Sequence, residues 1–473
     1  MVVLILAYAP FLMMSQYLHP LGIHEWDWIS GLAWGDVELS WWQRMQIWWT
    51  EVGGRYSSAA LVGTLPDWYS LGSFRGAVFL LLLITPLALI YALGKLLPGG
   101  IGVLVGSICW LLFLHQLTNV YDSLLRATCL PIYHLAVAGF AMLALLLRGW
   151  YVQGFKLSWQ FFFAVLLVIF LIGTNELSIV HVLLLLGATA MVRFQSLRRL
   201  PVGLLLLGLV ALGSTVFSLS APGNIARMEL YPASAKLLET VGLTLATSVF
   251  LMADWLFDSL LVPATVLILL LRPFFSNISK AGLLQRPYLW AAGIVLLCPS
   301  SLFPLLYGTN GSSLPERIVD ILFLLFAVLF MLFWLSLAEQ FKPLHGLKQR
   351  SGWLAAAIGV YLFGQVFFGG LSLDRSAEKR QLSRMALIDI RANAGKAYLQ
   401  LVTGIPQAYD QQMSRIERDI RTCRTDICWV SRLEATTFLG YDPTYDRMQK
   451  DGECGLVRHL GGNGARVARY KEE

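Results

Sequence analysis

Residues 76–94, GAVFLLLLITPLALIYALG, run for nineteen residues without a charged side chain. About 20 such residues in a helix cross the roughly 30 Å of hydrocarbon in a bilayer. Runs of the same kind recur near 1–18, 100–117, 129–147, 159–173, 177–192, 202–219, 256–271, 288–306, 317–338 and 353–370. The composition agrees: of 473 residues, 57% are hydrophobic and only 14% charged, with a mean hydropathy of +0.64. Lipid offers no partner for backbone N–H and C=O groups, and the ten-residue alternation of a barrel is missing. The sequence therefore predicts an all-α integral membrane protein with about eleven transmembrane helices.

One further segment, 234–255, SAKLLETVGLTLATSVFLMADW, is apolar enough to be a twelfth span. Cytoplasmic loops collect Lys and Arg, and this arbitrates. With eleven spans and the N-terminus inside, the inner loops receive Lys95, Arg148, Lys156, Arg193, Arg198, Arg199, Arg272, Lys280, Arg286, Lys342, Lys348 and Arg350, against a single acid, Glu339. A twelfth crossing would move Lys280 and Arg286 outside, so 234–255 reads as a re-entrant or interfacial helix on the outer face. The first run has no basic n-region and no small-residue cleavage site, so it reads as a retained span and not a signal peptide. The net charge of +7 comes from single cations at the ends of apolar runs, a pattern that argues against a nucleic-acid partner.

The composition shifts at about residue 371. From there a charged tail, 371–473, carries helical patterns near 376–402 and 407–422 and reads as a small C-terminal outer domain, periplasmic in a bacterial cell. In an oxidising space Cys423 and Cys428 are close enough in sequence to bridge, with Cys454 as competitor; free thiols are the equal alternative.

The acids scarce in the inner loops gather outside. A long first outer loop, 19–75, holds Glu25, Asp27, Asp36, Glu38, Glu51 and Asp67, and loops of that length are commonly functional. Within it LSWWQRMQIWWTEV, 39–52, spaces Trp41, Trp42, Trp48 and Trp49 as a helix lying flat at headgroup level presents its rings. Four more polar stretches stand at outer span ends: GGRYSS (53–58), GTNELS (173–178), SAPGNIARM (220–228) and GTNGSSLPERI (308–318). Arg55, Arg227 and Arg317 suit a phosphate at the membrane boundary, because a guanidinium is always charged and forks onto two oxygens. Gly223 and Gly311 permit close backbone approach. Glu176 sits between two apolar runs, where an acid faces a cavity or a partner. No Walker loop, HExxH, GxSxG or dinucleotide fingerprint is present.

The acids of HEWDW (24–28), followed in order by GGRYSS, TNE, PGNIAR and LPERI, resemble the GT-C superfamily of integral membrane glycosyltransferases, in an uncharacterised bacterial branch. The resemblance covers residues 1–370 by architecture. It implies a polyprenyl-phosphate-linked sugar donor and a glycan, lipid or protein acceptor, met on the outer face of a bacterial inner membrane. It also implies a first-loop carboxylate, Asp27 or Glu25, as general base. Trp26 separates these two acids where many relatives have them adjacent, so either of the two fits the role. Donor phosphate would meet Arg55, Arg227, Arg317 and Asn224, and substrate would meet His24, Tyr56, Asn175, Glu176 and Asn310.

The chemistry needs no cofactor. A hydroxyl acceptor loses its proton to a positioned carboxylate as it attacks the anomeric carbon, and fixed arginines stabilise the departing phosphate. Direct displacement inverts the centre. A divalent cation, Mg or Mn, would be held by Asp27 with Glu25 or Glu176 and the donor phosphate. Two other classes compete: a transporter or flippase of a lipid-linked or polar solute, to which Glu176, Asp254, Asp258 and Asp320 would matter, and an O-antigen type polymerase or ligase.

Overall fold

The computed structural model describes residues 1–19, 39–64, 70–229, 237–275, 282–309, 311, 314–340, 348–368, 394–422, 427–430 and 467–470. His24, Glu25, Asp27 and Asn310 lie outside these, as do Cys423 and Cys454. The helices are α1 (Val2–Met14), α2 (Trp41–Ile47), α3 (Tyr56–Val62), α4 (Leu71–Leu96), α5 (Ile101–Gln116), α6 (Leu135–Val152), α7 (Trp159–Ile172), α8 (Glu176–Leu197) and α9 (Val202–Leu219). They continue as α10 (Pro222–Glu229), α11 (Leu237–Phe257), α12 (Leu261–Leu271), α13 (Pro287–Gly308), α14 (Glu316–Gln340), α15 (Lys348–Phe368), α16 (Ala394–Val402) and α17 (Ile405–Thr422). Two short strands, β1 (Ile427–Val430) and β2 (Val467–Tyr470), pair in parallel and are the one departure from an all-helical chain among the described residues.

Among the described residues seven helices are long and apolar enough to cross a membrane: Leu71–Leu96, Leu130–Val152, Glu176–Leu197, Val202–Leu219, Leu237–Phe257, Pro287–Gly308 and Glu316–Gln340. Five shorter apolar helices accompany them. The protein is a multi-pass helical membrane protein. Many large apolar side chains on α7, α9 and α11 are exposed, including Phe162, Leu209 and Val249, as expected of surfaces solvated by lipid.

Side-chain contacts sort the helix ends into two groups. One end, acid-rich, gathers the close of α1, the start of α4, the α5–α6 connection and the starts of α8 and α14, as the site below details. At the other end Gln195 accepts from Tyr288 (3.0 Å) and Arg286 (3.4 Å), Arg148 donates to the Lys95 carbonyl, and Arg272 pairs with Glu339 at 2.7 Å.

The segment expected to be re-entrant or interfacial, 234–255, holds most of α11, which is long and apolar enough to cross. Leu243, on α11, lies against Gly311 at the acid-rich end. Trp255 packs on Phe323 and Phe326, with ring centroids at 5.7 and 5.2 Å, two to three turns into α14. Then α12 runs on to Arg272 and Glu339 at the opposite end. Helices α11 and α12 are separated at residues 258–260. Pro263 accounts for the break: its ring would clash with the Ser259 carbonyl in a continuous helix, and it is tolerated in the first turn of α12. Ser259 Oγ accepts from Leu261 N at 3.1 Å across the break.

Candidate active site at the acid-rich end

Glycines bring the site together. Gly53 adopts φ +139°, and a Cβ on Gly54 would stand 1.8 Å from the Ser218 carbonyl oxygen. A Cβ on Gly223 would stand 2.4 Å from the Gly53 nitrogen. The GGRYSS stretch thus lies directly on the α9–α10 junction, backbone against backbone. Ser218 Oγ donates to the Gly54 carbonyl at 2.9 Å, and Trp49 stacks on Phe217 with centroids 4.5 Å apart.

The second half of the stretch closes on the turn before α8. Ser57 N donates to the Gly173 carbonyl at 2.8 Å, Ser58 Oγ to the Thr174 carbonyl at 2.8 Å, and Tyr56 Oη to the Ile169 carbonyl at 2.8 Å. These bonds fix Arg55 opposite Glu176. Its Nε reaches both carboxylate oxygens, at 3.2 and 3.1 Å, and Nη2 reaches Oε2 at 2.9 Å. Burial works against the Arg55 charge, but Glu176 more than offsets it and raises the guanidinium above its ordinary value.

A second pair stands beside the first. Arg317 donates to Asp122 at 2.7 Å, and the other Asp122 oxygen accepts from Arg126 at 2.8 Å. The Arg317 guanidinium lies 5.9 Å from the centre of the Tyr133 ring. Arg55 feels both Tyr133 and Arg317 electrostatically, so the two pairs are neighbours. Desolvation would lift the Asp122 carboxyl, but Arg317 and Arg126 outweigh it and hold the group below the usual carboxylate range.

Asp320 anchors the connection that carries Asp122. It is 3% exposed and accepts from Thr118 N at 3.2 Å, Thr118 Oγ1 at 2.8 Å and Ser123 Oγ at 2.6 Å. His134 Nε2 donates to the Ser123 carbonyl at 2.7 Å. Burying a carboxylate is expensive unless its lone pairs are satisfied, and here three donors from one loop do so. Beneath the cluster Tyr133, Asn175, Ser178 and His181 line a cavity of about 20 Å³, which is room for about one water.

Among the residues expected to touch substrate or phosphate, Arg55, Glu176 and Arg317 come together. Tyr56, Asn175 and Asn224 adjoin them but spend their polar atoms on backbone. Asn175 caps α8 by accepting from Ser178 N at 2.9 Å and donates to the Ile132 carbonyl at 2.6 Å. Asn224 donates to the Ser218 carbonyl at 2.9 Å and accepts from Gly54 N at 3.4 Å. Arg227 is on α10, and its side chain lies outside the description. Sequence reading passed over Asp122, Arg126 and Tyr133. The signal was an Asp and an Arg four residues apart in the otherwise uncharged 117–134 stretch. Among the described residues no group of three or more His, Cys, Asp or Glu could hold a metal ion, and Glu176 is committed to Arg55. Comparison of the chain with family models, curated proteins and solved structures gave no match.

Proposed function

We propose that this protein is a membrane glycosyltransferase that moves a sugar from a polyprenyl-phosphate-linked donor to a glycan, lipid or protein acceptor. The observation that carries the reading is the pair of adjacent guanidinium–carboxylate contacts, Arg55–Glu176 and Arg317–Asp122, at one end of a lipid-embedded bundle. Arg55, Glu176 and Arg317 belong to the motifs that resemble the GT-C superfamily, and Asp122 joins them from the α5–α6 connection. In this reading Glu176 and Asp122 hold the guanidinium groups oriented while free donors remain for phosphate oxygens.

The reaction balances without a cofactor. Asp27, or Glu25, takes the acceptor hydroxyl proton as the oxygen bonds to the anomeric carbon. The bond from that carbon to phosphate oxygen breaks, and polyprenyl phosphate leaves with the electron pair, stabilised by Arg55 and Arg317. A divalent cation at Asp27 and Glu25 would supply further neutralisation of the phosphate.

With α11 and α12 counted as one passage, the chain makes eleven crossings, and Lys95, Arg148, Arg193, Arg272 and Arg286 fall at one end. The positive-inside rule then supports a bacterial inner membrane with the N-terminus inside and the site outside. A second reading, a transporter or flippase, is favoured by the break between α11 and α12, with Asp254 and Asp258 beside it, since interrupted helices line transport sites.

The test is transfer from a radiolabelled membrane pool of polyprenyl-linked sugars to surface glycans, comparing wild type with Asp27→Asn and Glu25→Gln at matched expression. Loss of transfer in one variant, with folded protein retained, supports the reading and names the base. Full transfer in both removes the base assignment.

A further inference from the structure

The charged tail reads in sequence as an outer domain, yet its first described helix sits deep. Tyr398, on α16, donates to the Leu6 carbonyl of α1 at 2.8 Å. The depth of Leu6 follows from its neighbour Tyr8, which donates to the Leu82 carbonyl at 2.8 Å and packs edge-on against Trp110. Leu82 is eleven residues into α4, roughly 17 Å from its acid-rich end at 1.5 Å per residue. Tyr398 therefore reaches the middle of the bundle. The described residues of this helix, Ala394–Val402, span about 13 Å along its axis.

The chain then turns back. Gly404, at φ +75°, sits in the turn between α16 and α17, and Gln407 of α17 donates to Tyr17 Oη at 3.2 Å. Tyr409, Met413 and Ile416 are buried against the core, while Gln411 on the opposite face is exposed. On α16, Ala394 and Ala397 are buried, but Leu399 is 54% and Val402 83% exposed. Beside them the outward residues of α1, Ile5, Leu6 and Met13, are exposed and apolar as well.

The hairpin is held at the acid-rich end by ion pairs. His19, fully buried, lies 2.7 Å from Asp410 through Nε2 and 2.8 Å from Glu417 through Nδ1. Arg75 of α4 donates to Asp410 and, at 2.9 Å, to the Leu18 carbonyl. The Tyr409 ring meets His19 edge-on at 6.0 Å.

We propose that α16, in its hairpin with α17, is embedded in the bilayer with its outward face, Leu399 and Val402, covered by acyl chains, and that the His19, Arg75, Asp410 and Glu417 cluster latches the hairpin at headgroup level. The occupant is lipid because Leu399 and Val402 share the helix whose Tyr398 reaches Leu6, and that helix packs along α1, whose outward face is apolar and exposed. The inference is independent of the sugar-transfer reading.

The test places nitroxide labels at Leu399→Cys, Val402→Cys and Gln411→Cys, in a chain whose six native cysteines are replaced, in phosphatidylcholine–phosphatidylglycerol vesicles. At 399 and 402 collisions with oxygen should exceed those with a water-soluble nickel chelate, and at 411 the order should reverse. Nickel access at 399 and 402 equal to that at 411 would overturn the proposal, as would exclusion of both reagents, which would mean cover by protein. Asp410→Asn with Glu417→Gln should raise nickel access at 402 severalfold; no change would remove the latch. On the unmodified chain in lipid nanodiscs, the Ala394–Val402 amides should exchange as slowly as those of α1, and fast exchange would contradict the insertion.

Discussion

At the acid-rich end the arginine cluster and the His19 cluster both tie together segments far apart in sequence, and they do so with different chemistry. Arg55 and Arg317 are charged at every attainable pH, and each meets a carboxylate directly. The His19 cluster centres on an imidazole, whose charge depends on the medium. Desolvation would lower the His19 pKa, but the bonds to Asp410 and Glu417 outweigh it and raise the group above its ordinary value. The first arrangement keeps positive charge in place for an anionic ligand. The second makes the docking of a hairpin conditional on a proton.

The sharpest way to break this contrast is to remove the fixed charge. Arg317→Gln should lower sugar transfer about 100-fold, the scale of a lost transition-state donor, without unfolding the protein, because Asp122 retains Arg126. Unchanged transfer in folded Arg317→Gln would detach the cluster from the chemistry. Next in size, Asp320→Leu strands Thr118 N and the Thr118 and Ser123 hydroxyls, and should cost about 3 kcal/mol in detergent unfolding. A loss below 1 kcal/mol would show that the loop does not depend on this anchor.

Smaller still, Glu176→Gln should cost about 2 kcal/mol, between the values for exposed and buried pairs, and thermal unfolding checks it. The least effect comes from pH. The His19 contribution is fully present below the unfolded value of 6.5 and is lost as pH rises through the higher folded value. Raising pH from 6 to about 10 should therefore loosen the hairpin, read by nickel access at residue 402, while Arg55–Glu176 is unaffected. On the acid side Asp122 and Asp410 are both held low, so their contributions persist above 3.8 and fade only as pH falls through their lower folded values. Equal response of the two clusters between pH 6 and 10 would erase the distinction.

How much of this was legible in sequence depends on the range of the interaction. Uniform apolar runs mark lipid-embedded helices because the solvent imposes them locally. Gly223 was marked for close approach, and its backbone lies against Gly53. Arg55 and Glu176 were each singled out, but their pairing spans 121 positions and leaves no local trace. The α11–α12 break falls close to the boundary read between 234–255 and 256–271, where Asp254, Asp258 and Pro263 interrupt the apolar stretch. The tail's contact with the bundle left little trace in composition, because α17 is charged on one face, whereas Tyr409, Met413 and Ile416 on the other are buried against the core.

The most direct measurement uses purified protein in vesicles loaded with a labelled polyprenyl-phosphate sugar and an acceptor mixture, following donor and polyprenyl phosphate over time. The account predicts that donor is consumed, polyprenyl phosphate appears in equal amount, and both changes vanish when Asp27→Asn and Glu25→Gln are combined. Donor that stays intact while its label moves across the vesicle membrane would contradict it and identify a transporter.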